Sequence, residues 1–384
     1  MNIIKRQLAT ALQALLPKYP ILALTGPRQS GKTTLLRAIL PEYRYVSLEN
    51  PDNRSYATDD PVGFLKEYSA QVIFDEVQRA PALFSYLQAI VDNSGQMGQF
   101  ILSGSQNFHL LERITQSLAG RVAIFKLLPF DSDEMKQENL LTSDWKSLII
   151  RGFYPAVYDR DLPPPIFYNN YIQTYIDRDV AELTNVQDTR RFRNFIELCA
   201  ARNGQLLNLS NLANECGISQ PTAKSWLSIL ESSYIVFLLS PYYKNFSKRV
   251  VKTPKLYFYD TGLVAYLLGF RQVGDLTDQN LLGSLFENLV VANVMKKNHH
   301  QYLLRDYWFW RDSSGHEVDL LTTTGGGLDI FEIKSTQTIL PKLFHGMDRF
   351  SEITQGKVKT RTLVYGGDKN QDRTHYRIRP WDGI

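Results

Sequence analysis

An α/β fold with a parallel sheet at the N-terminal end is what this 384-residue sequence predicts, and three observations carry the prediction. Up to about Asp133, short apolar strands alternate with helical stretches: Ile21–Thr25, Tyr43–Leu48, Gln71–Phe74, Gln99–Leu102 and Val122–Leu127. That rhythm suits a parallel sheet with helices on both faces. The first strand runs into Gly26-Pro27-Arg28-Gln29-Ser30-Gly31-Lys32-Thr33, and a later one ends in Asp75-Glu76.

The first run is a complete phosphate-loop pattern, glycine, four residues, then Gly-Lys-Thr. Such a loop turns backbone N–H groups toward phosphate oxygens, with Lys32 reaching the β/γ-phosphates and the Thr33 hydroxyl able to ligate Mg²⁺. Thr34 to Leu40 reads as the helix leaving the loop, and its N-terminus adds a dipole that favours an anion. The Asp75-Glu76 pair supplies the remaining chemistry. Asp75 is expected near the Mg²⁺ shell and Glu76 near the γ-phosphate, where it would orient and deprotonate water. Phosphoryl transfer is mostly positioning and charge neutralisation, so a lysine, a metal and a water-positioning group suffice. These residues predict binding of ATP or a related nucleotide, and its hydrolysis.

Length implies several domains. The longest apolar runs are too short to span a membrane, and Met1 to Arg6 lacks the apolar core of a signal peptide. Cys199 and Cys216 have no metal-ligand spacing, so no disulfide framework is expected and a reducing cytoplasm fits. Net charge is only +4. Its distribution is more informative: Pro241 to Lys255 holds Lys244, Lys248, Arg249, Lys252 and Lys255 without an acidic residue, interleaved with Tyr242, Tyr243 and Phe246. That pattern reads as a phosphate-backbone contact surface or as a solvated basic hairpin.

The sequence divides at polar segments into residues 1–133, the sheet domain; 134–203, a helical lid or linker; 204–272; and 273–384. In the second part a long helix is expected over Phe167 to Leu183. The third part reads as a winged helix. Ser210 is expected to cap a helix at Asn211–Glu215, Cys216-Gly217 to turn, and Ser219 to cap a second helix with Pro221 in its first turn. Strands Tyr234–Leu239 and Lys255–Tyr259 follow. Gln220, Thr222, Lys224 and Ser225 on the second helix would enter a DNA major groove, unless the unit serves only packing or oligomer contacts.

The fourth part holds a second constellation. A helix near Leu281–Lys296 carries Glu287, a hairpin of Tyr307–Arg311 and Glu317–Thr322 carries Asp319, and the strand Leu328 to Lys334 follows a Gly325-Gly326-Gly327 turn. Strand alternation puts Ile330, Glu332 and Lys334 on one face. Asp319 and Glu332 could share Mg²⁺, with Lys334 positioning water and Glu287 as a further carboxylate, an arrangement that hydrolyses phosphodiesters. An exposed ion pair of Glu332 with Lys334 is the plainer alternative.

Taken together, GPRQSGKTT, VIFDEVQRAP, ILSGSQN, SLAGRV, RGFYPAV, YIDRDV, PKLYFYDTGL and GHEVDLL with FEIKS resemble bacterial and archaeal AAA-type P-loop ATPases that carry a C-terminal restriction-endonuclease-like domain. The resemblance implies that residues 273–384 adopt that α/β fold. It implies that Ser103 to Asn107, including both end residues, senses the γ-phosphate, and that Arg121, or Arg113, acts in trans within a homo-oligomer. The reading is an ATPase coupled to a DNA-contacting C-terminal half with Mg²⁺-dependent nuclease chemistry. The alternative is a nucleotide switch whose later domains bind partners without catalysis.

Overall fold

The computed structural model describes residues 4–105, 117–175, 189–242 and 251–384. They fall into two compact units. The first comprises Met1–Phe130, Ser232–Tyr234 and Lys297–Leu303; the second comprises Asp131–Glu231, Ile235–Lys296 and Leu304–Ile384.

In the first unit, strands β1 (Ile21–Thr25), β2 (Arg44–Ser47), β3 (Val72–Asp75), β4 (Phe100–Gly104) and β5 (Val122–Lys126) form a parallel sheet in the order β2-β3-β4-β1-β5. Every residue of β1, β3 and β4 is buried. Covered on both faces, these strands are continuous apolar runs rather than alternating ones. Ile21, Ala23, Phe74 and Leu102 enter one core cluster, while Leu22, Leu24, Ile73 and Ile101 enter another. The flanking helices are punctuated locally. Asn50 and Asp60 cap helices that begin at Pro51 and Pro61, accepting from the N–H of Asp52 at 2.8 Å and of Gly63 at 2.9 Å. The helix Leu83–Ser94 ends on Gly95 in the left-handed region, φ 60°.

The second unit carries the helices Trp145–Arg151, Pro155–Asp159 and Pro164–Tyr171. The last begins earlier than the expected Phe167 because two prolines pre-set its first turn; a π turn follows to Tyr175, and residues 176–188 lie outside the described residues. The helices Leu209–Cys216 and Gln220–Ser232 are joined at Gly217, φ 64°. Asn208, not Ser210, caps the first of them by accepting from Asn211 N at 3.0 Å, since the helix starts two residues sooner than expected. Ser219 does cap the second, accepting from Thr222 N at 3.2 Å. Strands β6 (Val236–Leu239) and β7 (Lys255–Phe258) pair antiparallel.

A six-stranded mixed sheet completes this unit: β8 (Tyr307–Arg311), β9 (Glu317–Thr324), β10 (Gly327–Lys334), β11 (Val358–Tyr365), β12 (Gln371–Asp372) and β13 (Arg377–Pro380), in the order β12-β13-β11-β10-β9-β8. Trp310, Val318, Ile330, Leu363 and Ile378 pack against Met347 and Phe350 of the helix His345–Ile353. The expected helix around Glu287 runs longer at both ends, Gln279–His300. Among the described residues no helix is long and apolar enough to cross a membrane, and Cys199 and Cys216 are buried free thiols.

Candidate functional site

The phosphate loop joins β1 to the helix Lys32–Ile39. Gly26 is required twice over: its φ is +152°, and a Cβ there would lie 2.1 Å from the Leu127 carbonyl oxygen. Gly31, φ 92°, turns the chain into the helix. Lys32 Nζ donates to the carbonyls of Gly26 and Pro27, both at 2.9 Å, which holds its ammonium over the loop. Burial lowers the Lys32 pKa, and Glu76 and Asp75 act against that shift. Thr34 is exposed on the helix, whereas Ser30 is buried and its hydroxyl has no hydrogen-bond partner among the described residues. Arg28 and Arg79 flank Glu49, at 3.2 and 3.7 Å.

The end of β3 meets the loop. Asp75 Oδ2 accepts from the Thr33 hydroxyl at 3.1 Å and from Tyr45 OH at 2.5 Å. The Thr33–Asp75 pair of oxygens is the donor chemistry a hard cation takes, so these residues fit Mg²⁺. Glu76 sits in the left-handed region, φ 54°, a conformation that costs a non-glycine residue about 1–3 kcal/mol. Its Oε2 accepts from Gln78 Nε2 at 2.5 Å, Ser105 Oγ at 3.0 Å and Ser105 N at 3.3 Å. One carboxylate oxygen is thus anchored by β4's exit, and the other takes no hydrogen bond among the described residues.

Arg6 was not singled out by the sequence, and it is a principal support of this loop. Only 7% exposed, it donates to Ser30 O at 2.7 Å and to Leu128 O at 2.6 Å, with its guanidinium 4.9 Å from the Phe130 ring centroid. His300 Nε2 accepts from Leu128 N at 3.1 Å on the same side. Thr25, the last residue before the loop, bonds Tyr234 OH at 2.6 Å and the Phe125 carbonyl at 3.1 Å. Tyr45, Gln78 and Ser105 were likewise unmarked; only Ser105 had a signal, its place within the Ser103–Asn107 segment. Ser103 itself pairs in register with Asp75 on β3, its hydroxyl buried without a hydrogen-bond partner among the described residues. Asn107 and Arg113 lie outside the described residues. Arg121 stands at the start of β5, where its carbonyl accepts from Ile21 N, the sheet end opposite the loop. It forms a two-pronged pair with Asp92, at 2.5 and 2.8 Å.

In the second unit, Asp319, Glu332, Lys334 and Glu287 converge. Asp319 Oδ2 accepts from Lys334 Nζ at 2.9 Å and Ile333 N at 2.7 Å; Lys334 also pairs with Glu332 Oε1 at 2.7 Å. Burial opposes ionisation of Asp319, yet the Lys334 and Lys255 charges outweigh it and hold its pKa below the usual range. Glu332, buried and beside Asp319, is pushed up to about 8. Glu287 is raised too, by burial, against the pull of Lys255. The plainer expectation, an ion pair of Glu332 with Lys334, is met at 2.7 Å with Lys334 partly exposed, but its Glu332 end is buried rather than exposed, at 7%. A second correction concerns Lys255, counted with the basic hairpin. It is 3% exposed, bonded to Glu287 Oε1 at 2.9 Å and paired with Glu317. Of the remaining hairpin, residues 243–250 are outside the described residues. Gln220, Lys224 and Ser225 are exposed on their helix, and Thr222 is partly covered beside Ser219.

Residues 18–136 match the family described as AAA domain, and two domains of unknown function match residues 142–273 (DUF8612) and 282–382 (DUF4143). An uncharacterized protein of Mycobacterium tuberculosis and one of Mycobacterium bovis are each 30% identical to this chain over 375 residues, 96% of this chain and 81% of theirs. An uncharacterized Haemophilus influenzae protein is 22% identical over 213 residues, 52% of this chain and 51% of that one. Among solved structures, a Walker-type ATPase of Pyrococcus abyssi is similar at 15% identity and a TM-score of 0.44, covering 69% of this chain and 96% of that chain. AMPPCP-bound DnaA from Aquifex aeolicus is similar at 14% identity and a TM-score of 0.25, covering 59% and 86%.

Proposed function

The chain belongs to the family of these mycobacterial relatives, and from its AAA-type P-loop domain we propose that it binds ATP with Mg²⁺ and hydrolyses it. The observation that carries this reading is the anchoring of Glu76 beside the Thr33–Asp75 pair, through three donors on one oxygen. Gly26, Pro27, Arg28, Gln29, Ser30, Gly31 and Thr34 build the phosphate cradle, and Lys32 exchanges its loop carbonyls for phosphate oxygens. Thr33 and Asp75 would hold the metal, which supplies charge neutralisation on the phosphates. Glu76 orients water and takes its proton, and the γ-phosphate sensor is assigned to Ser103 and, outside the described residues, Asn107. A water-activating carboxylate favours hydrolysis over transfer to a second small molecule. Nucleotide binding and phosphate release by the wild type and Lys32→Ala test the site: the variant should lose most affinity, and unchanged affinity would remove Lys32 from it.

A second reading extends to the C-terminal half. Four side chains from three elements meet in a cluster whose Glu332 Oε2 is buried and has no hydrogen-bond partner among the described residues, and its carboxylates are a donor set that fits Mg²⁺. We infer Mg²⁺-dependent phosphodiester cleavage there, with DNA held by the helix Gln220–Ser232 and the basic hairpin. The rival is a nucleotide-controlled assembly protein with the same modules and no cleavage. Mg²⁺-dependent nicking lost in both Asp319→Ala and Glu332→Ala, with ATP turnover retained, supports cleavage. Nicking that persists in Glu332→Ala excludes this site as its source.

A further inference from the structure

Lys255 enters the C-terminal cluster from β7, whereas Glu317 and Asp319 come from β9, Glu332 and Lys334 from β10, and Glu287 from the helix Gln279–His300. Its Nζ donates to Glu287 Oε1 at 2.9 Å, pairs with Glu317, and lies 5.5 Å from the centre of the Phe309 ring. Glu287 Oε1 also accepts from Tyr257 OH at 2.5 Å. Four carboxylates therefore share two ammonium groups, that of Lys255 buried and that of Lys334 partly exposed, and among the described residues Arg311 adds a pair with Glu317, at 3.5 Å from a partly exposed position. A buried carboxylate without enough positive charge around it is costly, and it draws in a cation or a proton. Glu332 Oε2, buried and without a hydrogen-bond partner among the described residues, marks where the deficit lies.

Lys255 occupies the part of the cluster nearest Glu287 and Glu317, on Glu287 Oε1, an oxygen of the further carboxylate in the Mg²⁺ reading. Two cations on the same carboxylates repel each other strongly where water is excluded. We propose that Lys255 is a resident counter-ion that keeps the cluster in a state of low affinity for divalent cations, and that its withdrawal opens the site. The inference rests on the Mg²⁺ reading of the cluster given above. Lys255 is in this account a positioning and gating residue, not a ligand.

The test is direct Mn²⁺ binding to the full chain without nucleotide, followed by electron paramagnetic resonance, in an Asp75→Asn background that silences the other metal site. Lys255→Met should bind Mn²⁺ at least ~10-fold more tightly than its parent, a floor for like charges this close. Mg²⁺ should compete, and adding Glu332→Ala should abolish the gain. Lys255→Arg, which keeps the charge, should stay near the parent affinity. If Lys255→Met fails to fold, Lys255→Gln, which also removes the charge and keeps all four carboxylates, takes its place with the same expected gain. Equal Mn²⁺ affinity in parent and variant, still lost on Glu332→Ala, overturns the lock and leaves the metal site standing. Absence of Mn²⁺ binding in every variant overturns both.

Discussion

Replacing Glu76 by Gln isolates proton acceptance from geometry. All three donors that hold Glu76 converge on Oε2, so the amide oxygen of the variant can accept the same bonds. The left-handed backbone at φ 54° is retained as well. Only the second oxygen changes, from an acceptor for a water proton to an NH₂ group. Loss of a positioned general base costs about 10²–10⁴-fold, or about 3–5 kcal/mol at ~1.36 kcal/mol per tenfold. Ser105→Ala removes one of the three anchors. A hydrogen bond to a charged group contributes roughly 1.5–3 kcal/mol, and part of that is kept by Gln78 and the Ser105 backbone, so turnover should fall about tenfold. The assay is steady-state phosphate release at saturating ATP, paired with nucleotide affinity by fluorescence titration. In both variants kcat should fall while affinity holds. Wild-type turnover in Glu76→Gln would refute the role of Glu76, and a loss of affinity equal to the loss of kcat would show that the site had been displaced rather than disarmed.

Arg6→Met should weaken nucleotide binding with little change in kcat, because it frees the Ser30 carbonyl that shapes the loop; Arg6→Lys, read by the same titration, should recover part of the affinity. Arg121→Ala should lower turnover only at concentrations where subunits associate, and a flat ATPase rate per subunit across dilution would remove the trans role. Its pair with Asp92 must open for that role, so Asp92→Asn should leave turnover intact or raise it. Replacing Lys248, Arg249 and Lys252 together by Ala should lower the slope of log K for DNA against log salt by about one unit per lost contact. His299, half-buried, is held down from 6.5 to about 3 by its desolvation and by the nearby Lys126 charge. Its neutral form stabilises the fold above pH 6.5, and this contribution is lost as pH falls below that value. The loss is at most ~1.4 kcal/mol per pH unit. Urea melts at pH 7 and 5 should therefore differ less in His299→Gln than in the wild type.

Much of the nucleotide site is contiguous in the chain, which is why it is legible there. Gly26 and Gly31 answer local backbone demands, and Lys32 and Thr33 follow from the helix that starts after them. The strands were legible for a similar reason, because burial on both faces requires unbroken apolar runs. The cap at Asn208 was missed by a small shift in helix start, a choice between neighbouring polar residues that packing decides. What local pattern could not give is the company each side chain keeps. β4 lies between β1 and β3, and that order brings Ser105 onto Glu76 and Ser103 level with Asp75. Arg6 has no neighbours in the sequence that explain it, since its partners Ser30, Leu128 and Phe130 arrive from elsewhere in the fold. Lys255 is the clearest case. By composition it belongs to a basic surface, but β7 carries it among acidic residues of later elements, and a lysine enters a dry interior when paired carboxylates replace its water. The sequence by itself determined the phosphate loop, the strand endings and the amphipathic elements, because these depend on neighbours along the chain. The tertiary structure alone decided which charges share a buried volume, because that depends on sheet order and on the dielectric cost of leaving a charge unpaired.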